Sequence, residues 1–233
     1  MQVVITGASK GLGRAMSEIY ASHGHTLLVC ARNEYQLYKM VEELNVQYPQ
    51  STIRAMPADL AIYEQVMAFS EWVIAEAGCP DILINNAGQF LPGSIAHEAP
   101  GTLEAMLQAN LMSAYHLTRS FLPIMTERKM GHIFNICSIA SLQAYPNGGS
   151  YSISKYALLG FSKNLREELK EFGIKVTSVM PGAAYTDSWS GSGVDPKRIM
   201  QPDDVAKMVY AASQLSFQAC VEEIVLRPQL GDL

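Results

Sequence analysis

Two residues in the run Ser150-Tyr151-Ser152-Ile153-Ser154-Lys155-Tyr156 could together move a proton. Tyr151 and Lys155 are four positions apart, one helical turn, so a helix stacks phenol and ammonium on one face. A free tyrosine, with a pKa of roughly 10, is a poor acid or base near neutrality. A cation held beside it favours the phenolate and brings it toward working range. The same spacing occurs on many solvated helices, so the pair takes its meaning from what accompanies it.

Its first companion is Thr6-Gly7-Ala8-Ser9-Lys10-Gly11-Leu12-Gly13. This run lies where an apolar β-rich segment meets an amphipathic one. Its glycines there permit a tight turn and close backbone approach to a pyrophosphate at a helix N-terminus. The spacing is Gly-x-x-x-Gly-x-Gly rather than the commoner Gly-x-Gly-x-x-Gly, but the strand-loop-helix setting is the one the motif requires. Gly7, Ser9, Lys10, Gly11, Leu12 and Gly13 are therefore candidates for binding a dinucleotide. After the second β-rich run, where an NAD-binding chain places an acid against the ribose 2′-hydroxyl, stand Arg32 and Asn33. Arginine matches a 2′-phosphate in charge and geometry, and Lys10 and Arg14 add positive charge, so NADP(H) is expected over NAD(H).

The elements that must position these groups alternate along the chain. Strands are predicted at 2–6, 26–31, 52–56, 81–84, 132–137, 174–180 and 223–226. Helices are predicted at 12–22, 34–46, 62–76, 103–128 and 150–172, and after Pro202. Pro123 falls inside the fourth of these helices and is expected to kink it or end its regular part. Such alternation implies an α/β fold: a Rossmann-type, doubly wound, seven-stranded parallel sheet with helices on both faces, whose ligands bind at the carboxyl ends of the strands. No composition shift divides residues 1–233, so a single domain is expected.

With 233 residues, 48% of them hydrophobic, the chain can bury a sizeable core. A net charge of -5 without basic blocks argues against nucleic acid and for small-molecule partners. Nowhere do about 18 apolar residues run together, and the N-terminus lacks the cationic start of a signal peptide, so no membrane contact and a cytoplasmic location are expected. Cys30, Cys79, Cys137 and Cys220 form no Cys-x-x-Cys pair and read as free thiols, mostly buried. The five histidines show no metal-ligand spacing, His23 and His25 pointing to opposite sides unless the backbone turns, so no metal is expected.

Further motifs follow in order: Asp59 in Ala58-Asp59-Leu60, the run Asn85-Asn86-Ala87-Gly88, Asn110 in Ala109-Asn110-Leu111, Ser138 in Ile136-Cys137-Ser138, and Pro181-Gly182 followed by Thr186. With the glycine loop and the Tyr151/Lys155 pair, they make the chain resemble the short-chain dehydrogenase/reductase family along nearly its whole length. The resemblance implies that Asp59, with Leu60, touches adenine, that the run ending in Asn86, Ala87 and Gly88 shapes the cofactor pocket, and that Pro181, Gly182 and Thr186 meet the nicotinamide or pyrophosphate end. Each has a local alternative: Asp59 as a helix cap, the asparagines as turn formers, Pro181-Gly182 as a strand end. The resemblance also implies reduction of a carbonyl by hydride from the nicotinamide. Tyr151 would give a proton to the developing alkoxide, and Ser138 would hydrogen-bond the same oxygen. Lys155 would lower the tyrosine pKa and hold the nicotinamide ribose, and Asn110 would keep a water in place. A non-catalytic NADP-binding sensor is the alternative of another class. Its mark would be loss of Tyr151 or Lys155, and both are present.

A short lid is expected at about 187–200, rich in small residues, with Trp189 able to stack on a flat ring and Tyr145 nearby as a second candidate substrate contact. The run from Pro181 through Thr186, Trp189, Met200-Gln201-Pro202 and the ending Val221 to Pro228 followed by Gly231-Asp232 look like bacterial sepiapterin reductase-like members of the family. That suggests a pteridine side-chain ketone as substrate. The rival is a 3-oxoacyl thioester or 3-hydroxy acid, handled by the same core. Apolar stripes including Leu107, Leu111, Tyr115, Ala157, Leu158, Phe161 and Leu165 lie on the helices of Asn110 and Tyr151. In this family such helices often pair between subunits, so a homodimer or homotetramer is expected.

Overall fold

Seven parallel strands stand in the order β3-β2-β1-β4-β5-β6-β7 in the computed structural model, which describes residues 1–186, 189 and 193–233. They are β1 Gln2–Thr6, β2 Thr26–Cys30, β3 Thr52–Ala55, β4 Ile82–Asn85, β5 Gly131–Ile136, β6 Ile174–Pro181 and β7 Glu223–Leu226. The helices are α1 Gly11–Ser22, α2 Glu34–Gln47, α3 Tyr63–Ala77, α4 Thr102–Leu107, α5 Ser113–Arg128, α6 Gly149–Leu169 and α7 Pro202–Ser213. A 3-10 turn, Lys170–Phe172, finishes α6 and accounts for the longer helix read from the sequence.

Two apolar layers follow from the period of two along each strand. Val3 and Ile5 of β1, with Leu27 and Val29 of β2, pack on one face with Met16, Tyr20, Leu37 and Val205 from α1, α2 and α7. Val4 and Leu28, the alternating residues, pack on the other face with Phe69, Val73, Leu117, Phe121 and Leu165 from α3, α5 and α6. β1 pairs with β2 on one side and β4 on the other, Val4 lying opposite Leu28 and Leu83. The chain winds outward to β3 and returns past β1 to β4, so the sheet's switch point lies at the carboxyl ends of β1 and β4, where a crevice must open.

The helix expected over 103–128 divides elsewhere than at Pro123. It is α4, a π turn Gln108–Met112 and then α5, which runs through Pro123 to Arg128. Pro123 lies on the exposed side while Leu117, Phe121 and Met125 are buried on the other, so the carbonyl that proline leaves without a donor faces water. The irregularity falls at Asn110 instead. His23 and His25 also depart from the alternation read for them: the chain turns at Gly24, and both rings meet Tyr210, His23 stacked at 4.2 Å and His25 tilted at 6.0 Å. Leu158 and Leu165 of the supposed inter-subunit stripe belong to the chain's own core.

His132 gives the sheet a measurable pH sensitivity. Thr177 Oγ1 donates to Val221 O at 2.5 Å, so the His132 Nε2 atom 2.7 Å away must be the donor in their contact. Burial lowers the His132 pKa from 6.5 to about 3, with a smaller contribution from Lys175. The folded protein binds this proton less readily than the unfolded chain. Stability is therefore complete above the unfolded value and falls with pH below it, by about 1.4 kcal/mol per pH unit from this group. Urea unfolding at about pH 7 and pH 5 should show roughly 2 kcal/mol of loss from this source. That portion should be missing in His132→Phe, and an equal loss in the variant would refute it.

Candidate active site

A cleft of about 860 Å³ opens at the predicted switch point. Its wall begins with the loop from β1 into α1, which is stapled to the end of β4. Thr6 Oγ1 accepts from the backbone of Asn86 at 2.9 Å and Ala87 at 2.8 Å, and Asn86 Nδ2 donates to Thr6 O at 2.8 Å and Gly7 O at 3.1 Å. Asn86 thus braces the glycine loop and itself lines the cleft. Gly7 takes φ 63°, the left-handed region. Gly13 is not on the wall: it lies behind the loop, where a Cβ would sit 2.1 Å from Gly7 O. α1 points its N-terminus at the cleft, and Lys10 at its N-cap provides no side-chain cap, so the first-turn N–H groups suit an anion. Ser9, Lys10, Gly11 and Leu12 line this end, and the Thr186 methyl lies against Gly11.

Arg32 and Asn33 stand at the cleft beyond β2. Asn33 Oδ1 accepts from Gln36 N at 2.9 Å and caps α2, so its oxygen is already committed and Arg32 is left as the exposed cation. Asp59 and Leu60 line the next stretch, Asp59 Oδ1 accepting from Ala61 N at 3.0 Å in a local turn. Ala87, Gly88, Pro181 and Gly182 complete the walls. Asn85, by contrast, turns away from the cleft, its amide donating to Thr118 Oγ1 at 3.0 Å and Asn135 Oδ1 at 2.8 Å.

Ser138, Tyr151 and Lys155 converge where β5 meets α6. Ser138 leaves β5 in a short capped turn, its Oγ accepting from Ala140 N at 3.1 Å, and its hydroxyl stands near enough to the Tyr151 phenol to favour the ionised form. Lys155 is 7% exposed; its Nζ donates to Ile136 O at 2.7 Å and lies 5.8 Å from the Tyr151 ring centroid. The expected tuning of the tyrosine by the lysine is not what dominates. Burial pushes the phenol up to about 12, against which the Ser138 hydrogen bond pulls down. Burial also lowers Lys155 to about 8. Two groups leaving water together each disfavour their charged forms, and the ammonium is bonded to a carbonyl instead of the phenol oxygen. Tyr151 is therefore held as the neutral phenol.

Asn110 sits on the π turn, 1% exposed and behind the wall. Its Oδ1 accepts from Gln89 N at 2.8 Å, and its Nδ2 donates to Gln89 O at 3.1 Å and Ser154 Oγ at 2.9 Å. The side chain thus ties α6 to the backbone after Gly88, and the water-holding role expected for it finds its amide already engaged.

The far end of the cleft carries residues that sequence reasoning both named and missed. Tyr145 and Trp189 line it; Asp187, Ser188 and 190–192 of the expected lid lie outside the described residues, and its stretch Pro196–Arg198 forms a 3-10 turn. Phe90, which carries no motif, stands edge-on to Tyr151, ring centroids 4.8 Å apart. Gln143 lines the same region. Asp232 also reaches the cleft, because Arg198 gathers the tail by donating to Gly231 O at 3.0 Å and Asp232 O at 3.2 Å. Its Oδ2 pairs with Arg227 while Oδ1, buried near Gly182, has no hydrogen-bond partner among the described residues. Among the described residues no cluster of His, Cys, Asp and Glu could hold a metal, and no helix is long and apolar enough to cross a membrane.

A nucleotide-sized crevice at a parallel sheet's switch point, walled by a glycine loop and a buried Ser-Tyr-Lys cluster, defines a class of dinucleotide-dependent oxidoreductase. The signature of the short chain dehydrogenases matches residues 1–195, and the chain belongs to that family. An uncharacterized oxidoreductase of Staphylococcus aureus is 30% identical over 97% of this chain and 96% of its own. An alcohol dehydrogenase from the archaeon Thermococcus sibiricus, solved with 5-hydroxy-NADP, superposes with a TM-score of 0.90 at 26% identity, covering 98% of this chain and 96% of that one. L-sorbose reductase from Gluconobacter frateurii, solved with NADPH and L-sorbose, gives 0.88 at 27% identity, covering 97% and 94%.

Proposed function

We propose that the protein reduces a ketone to a secondary alcohol with NADPH, and that Tyr151 is the proton donor. The observation that carries this reading is the convergence of Ser138, Tyr151 and the buried Lys155 on the wall of a nucleotide-sized cleft. NADP(H) fits the residues present. The left-handed Gly7 and the α1 N-terminus suit a pyrophosphate, and an exposed arginine stands at the end of β2 where an NAD site carries an acid. The two solved relatives holding 5-hydroxy-NADP and NADPH support the same choice.

When bound, the nicotinamide supplies a hydride. Ser138 and Tyr151 hydroxyls converge on the substrate oxygen, and Tyr151 delivers its proton as that oxygen gains charge. Lys155, held at Ile136 O, lies close enough to stabilise the phenolate left behind. Asn110 acts through others, fixing Gln89 and, through Ser154, the turn of α6 that carries Tyr151.

For the substrate we propose a pteridine with a side-chain ketone. Phe90, Tyr145 and Trp189 offer aromatic surface to a flat ring, and Asp232 on the cleft wall is the carboxylate we assign to its ring N–H groups. A 3-hydroxy acid would bring its own negative charge toward that carboxylate, and an acyl thioester has no ring N–H to offer it. Asp232→Asn should raise KM for sepiapterin by about tenfold or more with kcat little changed, since a hydrogen bond to a charged group contributes about 1.5–3 kcal/mol. An unchanged KM, or better turnover of acetoacetyl thioesters than of sepiapterin, would remove the pteridine. The reducing cytoplasm suits the four free cysteines, and we propose a homodimer or homotetramer, which light scattering would test.

A further inference from the structure

The helix that carries Tyr151 and Lys155 has no cap of its own. Gly148 stands at the N-cap of α6 and contributes no side chain. The missing acceptor comes from elsewhere: Glu98, in the irregular stretch 89–101, accepts from Ser150 N at 2.9 Å through Oε1 and from Ser150 Oγ through Oε2. A carboxylate at this end of a helix meets both the unpaired N–H groups and the positive end of the helix dipole. The fit is close. A Cβ on Gly149, which takes φ 35°, would fall 2.1 Å from Glu98 Oε1 and 2.4 Å from Gly93 O. Gly93 N also donates to Asn147 O at 3.0 Å, a second tie between this stretch and the entry to α6.

The opposite end of the same stretch is held by Asn110, through both backbone groups of Gln89. Phe90 follows and rests edge-on against Tyr151. Two side chains thus fix residues 89–101 against the catalytic helix, one at each end, and between them lies an aromatic wall of the cleft. Ser150, which Glu98 grips by both its amide and its hydroxyl, is the residue directly before Tyr151.

We propose that Glu98 is a positioning residue for the reaction: its carboxylate sets the first turn of α6, and with it the placing of the Tyr151 phenol and the Phe90 wall. This rests on Tyr151 acting as proton donor. Displacing a reacting group by about 1 Å can cost on the order of 10²-fold in rate without loss of binding. Glu98→Ala and the shorter Glu98→Asp should therefore lower kcat about tenfold or more, leaving KM for NADPH within about twofold. E98Q should restore most of kcat, because its amide oxygen can still accept from Ser150 N and its amine can donate to Ser150 Oγ.

Amide hydrogen exchange at Ser150 provides a readout that needs no turnover. It should accelerate in Glu98→Ala and Glu98→Asp and stay slow in E98Q. If the wild type reduces ketones and Glu98→Asp keeps its kcat, the positioning role is wrong. It is equally wrong if NADPH affinity and thermal stability fall in step with kcat in all variants, or if Ser150 exchange is unmoved. A wild type that turns nothing over while Ser150 exchange responds as expected would overturn the proton-donor reading and leave only a structural cap, which also removes the proposal. Should Glu98→Ala fail to fold, Glu98→Asp and E98Q carry the comparison.

Discussion

Tyr151→Phe should lower kcat for ketone reduction by about 10³-fold while leaving NADPH affinity within about twofold of wild type. The substitution removes one oxygen from a largely buried ring that keeps its edge-on contact with Phe90, so the fold and the cleft should survive it. What is lost is the phenol proton, which burial keeps on Tyr151 at the cleft wall. Stopped-flow single turnovers would assign the loss to the chemical step. The pH dependence carries a sign as well. Burial keeps the phenol protonated far above neutrality, so reduction finds its acid ready, whereas alcohol oxidation needs the phenolate. The oxidation rate should climb between about pH 7 and pH 9, and Tyr151→Phe should abolish that climb. Retention of more than about a tenth of wild-type kcat would show that another group delivers the proton.

Gly13→Ala should be nearly as damaging, by another route. The added Cβ would lie 2.1 Å from Gly7 O, 2.8 Å from Gly7 C and 2.6 Å from Asn86 Nδ2. None of these can step aside cheaply: two are backbone, and Asn86 Nδ2 is bonded to Thr6 O and Gly7 O. α1 would have to back away from β1, carrying the N-terminal amides out of register with the loop. Overpacking of this kind costs typically about 1–3 kcal/mol, and at least a further tenfold in NADPH affinity is expected from the displaced helix start. Thermal unfolding and fluorescence titration with NADPH would measure the two losses. A wild-type melting temperature and affinity together would mean that the loop is not held against the helix as described.

Much of this was legible in the sequence because it rests on local rules. Consecutive apolar residues such as Val3, Val4 and Ile5 make a strand buried on both faces, and four-residue spacing puts Tyr151 and Lys155 on one face of a helix. Less legible were features that depend on what distant segments bring. Pro123 reads as a breaker, yet α5 carries it on the exposed side because buried Phe121 and Met125 hold the helix on the other. Asn110 reads as a catalytic polar group, and its amide is spent on Gln89 and Ser154, which no spacing foretells. The tuning of Tyr151 was misjudged for a similar reason. Proximity of a lysine is visible in the sequence, but the burial that outweighs it is a property of the packed fold. Phe90 and Glu98 carry no motif, Asp232 was read only as part of the chain's ending, and all three join the site through the folding of 89–101 and of the tail that Arg198 gathers.

The central claim is met most directly by initial rates of NADPH oxidation, with NADH in parallel, by the wild-type protein offered sepiapterin, L-sorbose, simple diketones and acetoacetyl thioesters. The account predicts turnover of sepiapterin with NADPH, much weaker turnover with NADH, and little with the thioesters. NADPH that binds tightly while no ketone is reduced would contradict it and favour a nucleotide sensor built on the same cleft.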